Sequence, residues 1–256
     1  MKTICFFNST KAWGGGEKWH LEACTHLHNQ GHPVLAIAHL KSELYQRLRD
    51  TGVDCLGISI GNLSFLNPLK IKAVEKILRK NQVGTIVMNL SRDLKLAGLA
   101  AEQAGLKRII YRRGSAIPIK NSFINRYYFK NLVTEVLANS QATKETVLEQ
   151  NSELFPKDKI KVIYNGIDIN EFLNKPVKPL YQKKDADEKD VEEIVLTNLG
   201  RLEFQKNQKF LIKLAAELKR RKLSFKILIG GDGRLKEELQ TQAQELQVEQ
   251  QVLFTG

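Results

Sequence analysis

Short apolar runs alternate with amphipathic segments along almost the whole chain of 256 residues. A short apolar run between turn residues is typical of a buried strand, whereas apolar residues three and four apart indicate a helix. The pattern predicts strands at 3–8, 34–40, 55–60, 85–89, 108–112, 135–138, 161–164, 224–229 and 251–254, and one that begins at 194. It predicts helices ending near 29 and at 42–51, 68–81, 93–104, 141–150 and 208–221, and one after 233. Strands that alternate with helices imply an α/β fold with a mainly parallel, doubly wound sheet.

Composition divides the chain into two domains. Residues 174–179 read Asn-Lys-Pro-Val-Lys-Pro, and a run rich in Lys, Asp and Glu follows them. Such a polar, charged run cannot bury enough apolar surface to fold by itself. We therefore predict a first Rossmann-like domain over 1–172, a linker over 173–192 and a second Rossmann-like domain over 193–256.

The stretch 194–207 combines an apolar strand, a glycine turn, a loop with two cations and the start of a helix. Its sequence is IVLTNLGRLEFQKN. In an open α/β sheet, ligands bind at the carboxyl ends of the strands. Arg201 offers a planar fork of donors and Lys206 a mobile charge, which together suit a diphosphate. The alternative is that both are solvated surface cations.

A second glycine turn follows the next strand, at Gly230-Gly231-Asp232-Gly233. Glycines at a strand-to-helix turn allow the backbone to approach a ligand closely. The ordered pair, GRLxxxKN and then GDG one strand later, resembles the retaining glycosyltransferases of family 4, which have the GT-B fold. The resemblance implies that Arg201 and Lys206 grip the diphosphate of a sugar nucleotide and that Gly231 and Gly233 lie by its nucleoside.

Three consecutive glycines, Gly14 to Gly16, separate the first strand from the first helix. Backbone N–H groups at a helix N-terminus favour negative charge, although the loop could equally be merely mobile. The resemblance places this loop between donor and acceptor, with Gly15 and Gly16 at the donor diphosphate. Trp13 would stack on an acceptor sugar or anchor the loop in the core.

The strand predicted at 108–112 ends in Tyr111-Arg112-Arg113-Gly114. Members of the resembled family often carry a histidine here, and its absence puts a histidine contact to the donor sugar in doubt. The pair Arg112 and Arg113 suggests instead a phosphate or acidic group on the acceptor side. The five histidines have no Cys, Asp or Glu that completes a ligand set, so we expect no metal.

Charge favours anionic partners, because 40 basic residues outnumber 28 acidic ones and give a net charge of +12. No nucleic-acid-binding motif is present, so we expect no nucleic acid partner. Residues 103–134 contain seven basic residues and no Asp or Glu. As a helix, 121–131 places Arg126 and Lys130 beside Phe123 and Tyr127, which suits an anionic membrane surface. The alternative is a core helix with solvated cations.

The cell compartment is indicated by three features of the chain. No run of about 18 apolar residues is present, so no transmembrane helix is expected. The N-terminal apolar run is too short for a signal peptide. Cys5, Cys24 and Cys55 are widely spaced in apolar segments, like free buried thiols in a reducing compartment. We therefore expect a cytoplasmic protein, on the inner face of the cytoplasmic membrane if the acceptor is lipid-linked.

The resemblance implies an enzyme without cofactor or metal. It would move a sugar from a nucleotide diphosphate to a glycan or lipid-linked acceptor hydroxyl with retention, in polysaccharide or lipopolysaccharide biosynthesis. The pair Asp185 and Asp187 looks like the metal-binding aspartates of a different glycosyltransferase fold, but a polar linker would not hold both carboxylates rigidly.

The family's catalytic glutamate pair would fall beyond Gly256. We therefore expect an incomplete second domain, self-association through it and no turnover by the 256-residue chain alone. The alternatives are a sugar-nucleotide epimerase of the same fold and a non-catalytic nucleotide-binding or membrane-surface-binding protein.

Overall fold

The computed structural model describes residues 1–181 and 193–256. It divides the chain into two compact units, Met1–Asp168 and Ile169–Gly256. The division falls shortly before the predicted end of the first domain at residue 172. Of the predicted linker 173–192, residues 182–192 lie outside the described residues, and Asp185 and Asp187 with them.

The first unit is built on a seven-stranded parallel sheet. Its strands are β1 (Thr3–Asn8), β2 (Val34–His39), β3 (Asp54–Ile58), β4 (Val83–Met88), β5 (Arg108–Arg113), β6 (Glu135–Ala138) and β7 (Ile160–Val162). They are ordered β3-β2-β1-β4-β5-β6-β7. The chain order therefore reverses between β1 and β4, and such a switch point is where open α/β sheets bind ligands.

The helices of the first unit connect these strands. They are α1 (Gly15–Asn29), α2 (Glu43–Arg49), α3 (Pro68–Lys80), α4 (Ser91–Asp93), α5 (Leu99–Gln103), α6 (Phe123–Asn131) and α7 (Gln141–Leu148). Leu94–Gly98, between α4 and α5, is π-helical. The predicted helix 93–104 is thus present but interrupted. The predicted cap of α7 is confirmed, because Ser140 Oγ accepts a hydrogen bond from the N–H of Thr143 at 3.1 Å.

The core of the first unit lies on both faces of its sheet. Along β1, Cys5 and Phe7 pack into the larger apolar cluster, whereas Phe6 packs into a second cluster with Cys24 of α1. Successive strand residues point to opposite faces, so a strand covered on both sides reads as one continuous apolar run. The predicted thiols are free, with Cys5 and Cys24 buried and Cys55 half-buried.

The second unit repeats the same architecture on a smaller sheet. Its parallel strands are β8 (Ile194–Leu199), β9 (Phe225–Gly230) and β10 (Val252–Phe254), in the order β10-β9-β8. Its helices are α8 (Ile169–Asn174), α9 (Gln208–Arg220) and α10 (Lys236–Glu245). Ile212, Ile227 and Leu239 join one strand and two helices in a common core. The predicted fold class, α/β with two Rossmann-like units, is confirmed.

Candidate functional site

The loop after β8 carries the two cations of the GRLxxxKN motif. A short 3-10 turn, Phe204–Lys206, leads into Asn207, whose φ of 52° is left-handed. Asn tolerates this conformation better than most residues. The turn folds the loop back, so that the position of a Cβ at Gly200 would be 3.7 Å from Lys206 Cε. Lys206 thereby lies over the turn that precedes Arg201.

Gln208 holds this loop from beneath. Its side chain is buried at the start of α9, and its Nε2 donates to the carbonyl of Arg201 at 3.2 Å and to Asn198 Oδ1 at 3.4 Å. Arg201 is itself exposed, and so is Lys206. Neither side chain forms a salt bridge with any residue of 1–181 or 193–256. The loop therefore presents two unpaired cations on a backbone that is fixed from below.

The glycine turn after β9 packs directly against this loop. Leu202 donates its N–H to the carbonyl of Asp232 at 3.0 Å, and Gly200 donates to that of Gly230 at 2.9 Å. A Cβ at Gly231, where φ is 131°, would collide with the carbonyl oxygen of Gly200. A Cβ at Gly233 would lie 2.5 Å from the carbonyl oxygen of Leu202. Both glycines are needed for the two backbones to touch, and the structure brings them together with Arg201 and Lys206.

In the first unit, a buried polar cluster occupies the switch point between β1 and β4. Asp93 accepts hydrogen bonds from the Ser9 N–H at 3.2 Å and from the Ser9 hydroxyl. Arg92 donates to the Ser9 carbonyl at 3.1 Å and to its Oγ at 2.9 Å. Burial raises the pKa of Asp93 to about 7, which outweighs the opposing effects of the Ser9 hydrogen bonds and of Arg92. No pattern in the sequence had indicated this cluster.

Arg112 lies inside the first unit, not on its surface. It is 3% exposed, its guanidinium stacks over Trp19, and it donates to Asn89 Oδ1 at 3.4 Å and to Asn165 Oδ1 at 3.1 Å. Burial lowers its pKa to about 10, so it remains charged at neutral pH. A Cβ at Gly114 would lie 2.9 Å from Arg112 Nη1, so the glycine leaves room for it.

His20, on α1, is the buried neighbour of Arg112. Burial, together with the positive charge of Arg112, lowers the pKa of His20 to about 3, so the imidazole is neutral near pH 7. Its Nε2 has no hydrogen-bond partner in the described part of the chain. A buried imidazole with a free nitrogen beside a buried cation is a candidate site feature that sequence reasoning did not single out.

Arg113 points away from Arg112, because neighbouring residues of a strand face opposite sides of the sheet. It donates to the carbonyl of Ile117, and its guanidinium lies 6.0 Å from the centroid of the Tyr111 ring. The two arginines, which are adjacent in the sequence, therefore have different surroundings in the structure. Whether either one meets a phosphate stays a prediction.

The glycine loop before α1 does not need left-handed backbone, since Gly14 is extended. A Cβ at Gly16 would lie 3.0 Å from Asn89 Nδ2, whereas one at Gly15 would meet nothing within 4 Å. Asn89 Nδ2 donates to the Gly16 carbonyl at 3.4 Å, which links this loop to the partners of Arg112. Trp13 is half-buried against the core, and the Arg47 guanidinium lies 4.4 Å from its ring centroid. This placement favours the anchoring role for Trp13.

Helix α6 carries the two cations that were predicted to face a membrane. Arg126 and Lys130 are exposed, and so are Phe123 at 75% and Tyr127 at 46%, whereas Tyr128 and Phe129 are buried. Two cations of the basic stretch are used elsewhere, since Arg108 pairs with Glu135 at 2.8 Å and Arg112 is internal. No helix in the described part of the chain is long and apolar enough to cross a membrane.

Comparison with known proteins places these features in a family. Residues 13–171 match the model of Glycosyltransferase Family 4, and residues 182–256 match that of Glycosyl transferases group 1. A relative from Campylobacter jejuni is 28% identical over 204 residues. It is N-acetylgalactosamine-N,N'-diacetylbacillosaminyl-diphospho-undecaprenol 4-alpha-N-acetylgalactosaminyltransferase. The match covers 76% of this chain and 52% of the relative, so the chain spans about half the relative's length.

Solved structures show the same fold. Anabaena HepE, crystallised with UDP and glucose, has a TM-score of 0.73 at 21% identity, over 99% of this chain and 68% of that one. The UDP-GlcNAc 2-epimerase of Neisseria meningitidis has a TM-score of 0.54 at 17% identity, over 98% of this chain and 71% of that one. The predicted GT-B fold is confirmed. Since the first family model alone matches more than half of its residues, this chain belongs to glycosyltransferase family 4.

Proposed function

We propose that this protein transfers a sugar from a nucleotide diphosphate to an acceptor hydroxyl, with Arg201 and Lys206 holding the diphosphate. The observation that carries the proposal is the loop of the second unit. It presents two exposed cations without an acidic partner in the described residues, beside two turns that only glycine allows to touch. Most surface cations have no such support. Here Gln208 and the Gly231 turn fix the backbone that carries them.

The chemistry follows from the charge of the leaving group. When the bond between the anomeric carbon and the diphosphate breaks, negative charge grows on the diphosphate oxygens. A guanidinium and an ammonium that are already in place stabilise that charge without reorganisation. The acceptor hydroxyl oxygen forms the new bond to the anomeric carbon, and its proton passes to the departing diphosphate. From the family resemblance we propose retention at the anomeric carbon and no bound metal.

Gly231 and Gly233 are proposed to lie by the nucleoside, and Gly15 and Gly16 by the diphosphate. The open space at Gly15 supports a close approach to the backbone there. Glu17 works against this role, because its carboxylate lies in the first turn of α1, where an anion would gain from the helix dipole. We therefore assign most of the diphosphate binding to Arg201 and Lys206.

For the donor, we propose a uridine diphosphate sugar, since HepE was crystallised with UDP and glucose. For the acceptor, we propose a glycan precursor carried on a lipid diphosphate, since the Campylobacter relative is named for such a substrate. Polysaccharide or lipopolysaccharide synthesis would use an acceptor of this kind.

Contact with an anionic membrane is proposed at α6. Phe123 and Tyr127 supply apolar surface, and Arg126 and Lys130 supply charge beside it. A groove of about 420 Å³ beside the helix adds a third cation, Lys159, and an apolar floor that includes Phe155. Aromatic and cationic side chains in this arrangement suit the interface of a bilayer.

Calorimetric titration with UDP, followed by incubation with UDP-glucose and UDP-N-acetylglucosamine plus a lipid-diphosphate glycan, tests the proposal. A transferase releases UDP and forms a new glycosidic bond, which mass spectrometry detects. Turnover would also overturn the expectation that the 256-residue chain alone is inactive, whereas UDP binding tests the donor assignment without turnover. An epimerase instead changes the sugar configuration without an acceptor. It is the second candidate, because both family models and the Campylobacter relative are those of glycosyltransferases. Absence of UDP binding would remove the basis of the proposal.

A further inference from the structure

A cavity of about 310 Å³ lies in the first unit at the end of β5, between the π-helical segment and the start of α6. It is separate from Arg112, which faces the other side of the sheet. Its walls come from three parts of the chain: Ser91, Leu94 and Lys95; Tyr111 and Arg113; and seven residues between Pro118 and Phe129. The volume is about ten times the ~30 Å³ that one water molecule occupies in the liquid. A group as large as a diphosphate therefore fits.

Three cations line this cavity, and none of its lining residues is acidic. Lys95, Arg113 and Lys120 come from different segments, and none of them forms a salt bridge with a described residue. Arg113 donates one Nη2 hydrogen to the Ile117 carbonyl, but its buried Nε has no partner in the described part of the chain. Lys95 Nζ lies 5.3 Å from the centroid of the Phe65 ring, which is not an anion. Like charges that line one cavity without a counterion among the described residues repel one another, so an anion between them would be stabilised.

Neutral hydrogen-bonding groups complete the wall. The Ser122 hydroxyl, which caps α6 by accepting from the Asn125 N–H at 3.2 Å, lies at the rim, and α6 directs its N-terminus towards the same space. Phe129 and Ile124 belong to the apolar part of the wall, with Leu94, Pro118 and Ile119. A tetrahedral anion with an apolar substituent matches this set better than a bare carboxylate, because its several oxygens can meet three separated donors.

We propose that this cavity binds the phosphate or diphosphate group of the acceptor. The inference rests on the proposed function, since the cavity would hold the acceptor of the sugar transfer argued above. The site differs from ordinary solvated lysines in that three cations line one cavity and the buried Nε of Arg113, which lines it too, is unpaired in the described part of the chain. Lys95 and Lys120 are then specificity-determining residues that the sequence pattern did not reveal.

Calorimetric titration of the full chain with inorganic pyrophosphate, octyl phosphate and the uncharged octyl glucoside tests this inference. The titrated protein is a variant with both Arg201→Ala and Lys206→Ala, so that the donor loop does not bind the probes. We expect Lys95→Gln and Lys120→Gln each to weaken phosphate binding about tenfold or more, as loss of a charge-assisted contact does. Lys76→Gln and Lys107→Gln remove the same charge from exposed positions outside the cavity and should change affinity less than about twofold.

The two phosphate probes distinguish the source of the ligand. Tighter binding of octyl phosphate than of pyrophosphate supports a lipid phosphate that also uses Phe129 and Ile124, and equal binding supports a soluble phosphorylated acceptor. Binding of neither probe, binding of octyl glucoside as tight as that of octyl phosphate, or equal losses in the cavity and control variants would overturn the inference. UDP binding by the chain with Arg201 and Lys206 intact is measured separately, so failure here leaves the donor assignment standing.

Discussion

The guanidinium carbon of Arg112 lies 4.1 Å from the centroid of the Trp19 ring, in the interior of the first unit. Cation and ring stack there, while Asn89 and Asn165 accept hydrogen bonds from the same guanidinium. Arg112 thus joins the ends of β4 and β5 and the segment after β7 to α1. These contacts indicate that Arg112 fixes the positions of these four segments relative to one another.

We expect Arg112→Ala to destabilise the first unit by about 1.5–3 kcal/mol, because it removes the hydrogen bonds of a buried guanidinium to half-buried Asn89 and exposed Asn165 and its stack on Trp19. Both tryptophans, Trp13 and Trp19, belong to the first unit, so fluorescence during urea unfolding reports on it. Arg126→Ala is the matched control, since that arginine is exposed, and should cost less than about 0.5 kcal/mol. Unchanged stability of Arg112→Ala with loss of phosphate binding would make Arg112 a ligand contact instead.

Asp93 should give the first unit a distinctive pH dependence. Its pKa rises from 3.8 to about 7 in the folded chain, so the folded state binds the extra proton between about pH 4 and pH 7. The stability contributed by the protonated carboxyl is complete below about pH 4 and is lost as pH rises to about 7. The slope is at most about 1.4 kcal/mol per pH unit. His20 acts in the opposite sense, because its pKa is lowered to about 3.

Comparison with Asp93→Asn isolates this effect. The variant keeps an acceptor for Ser9 but cannot titrate, so its free energy of unfolding should fall less, or rise more, than that of the parent between pH 5 and about pH 7. Urea unfolding at a series of pH values measures the difference. Parallel pH profiles of the two chains would show that the carboxyl stays ionised at neutral pH, as the hydrogen bonds from Ser9 and the positive charge of Arg92 alone would favour.

The sequence was sufficient for the positions of the strands and for the parallel α/β class, because buried parallel strands leave continuous apolar runs. Boundaries shifted by one or two residues where a run fades, as at β3 and β7. The π-helical segment Leu94–Gly98 left no signal, since its residues are as apolar as those of an ordinary helix. The loop with Arg201 and Lys206 was predicted because its glycines and cations lie within one short stretch.

The buried polar contacts of the first unit could not be predicted from the sequence, for a different reason. Ser9 and Asp93 are 84 positions apart, and Arg112 and Asn165 are 53 apart. No local pattern connects residues at such separations, so a buried carboxylate and a buried arginine look like any surface charge. Arg112 and Arg113 were assigned to one anionic group because they are adjacent in the sequence, although neighbouring residues of a strand face opposite sides of the sheet.

Gly231 should tolerate no side chain. Gly231→Ala would place a Cβ against the Gly200 carbonyl at a φ of 131°, so the two turns must separate. Strain of this kind costs of order 1–3 kcal/mol. Hydrogen exchange at the Leu202 and Gly200 amides, which donate across the turns, should accelerate about tenfold or more. Gly200→Ala is the control, because a Cβ at Gly200 would make only ordinary contact with Lys206. In that variant, the exchange rates of the same amides should stay unchanged.

Helix α6 should confer salt-sensitive binding to anionic vesicles. Each lost cation should weaken binding by about 1 kcal/mol. We expect the double variant Arg126→Glu with Lys130→Glu to lose more than this sum, because the new carboxylates also repel the anionic lipid. Phe123→Ser should weaken binding at high salt as well, since its contribution is apolar. Lys76→Glu with Lys80→Glu makes the same charge change on α3. Flotation with phosphatidylglycerol vesicles measures these effects, and equal losses on both helices would reduce the assignment to net charge.

The donor loop gives the most direct test of the proposed function. Arg201→Ala and Lys206→Ala should each weaken UDP binding by about 1.5–3 kcal/mol, because each removes a charge-assisted contact with the diphosphate. Uridine, which has no phosphate, should not distinguish the variants from the parent chain. Lys213→Ala is the matched control, since Lys213 is exposed on α9 outside the loop. Calorimetry with UDP, UMP and uridine separates the contributions. If the losses of affinity were equal for UDP and uridine, the substitutions would be disturbing the fold of the loop, and the two cations would not be contacts of the diphosphate.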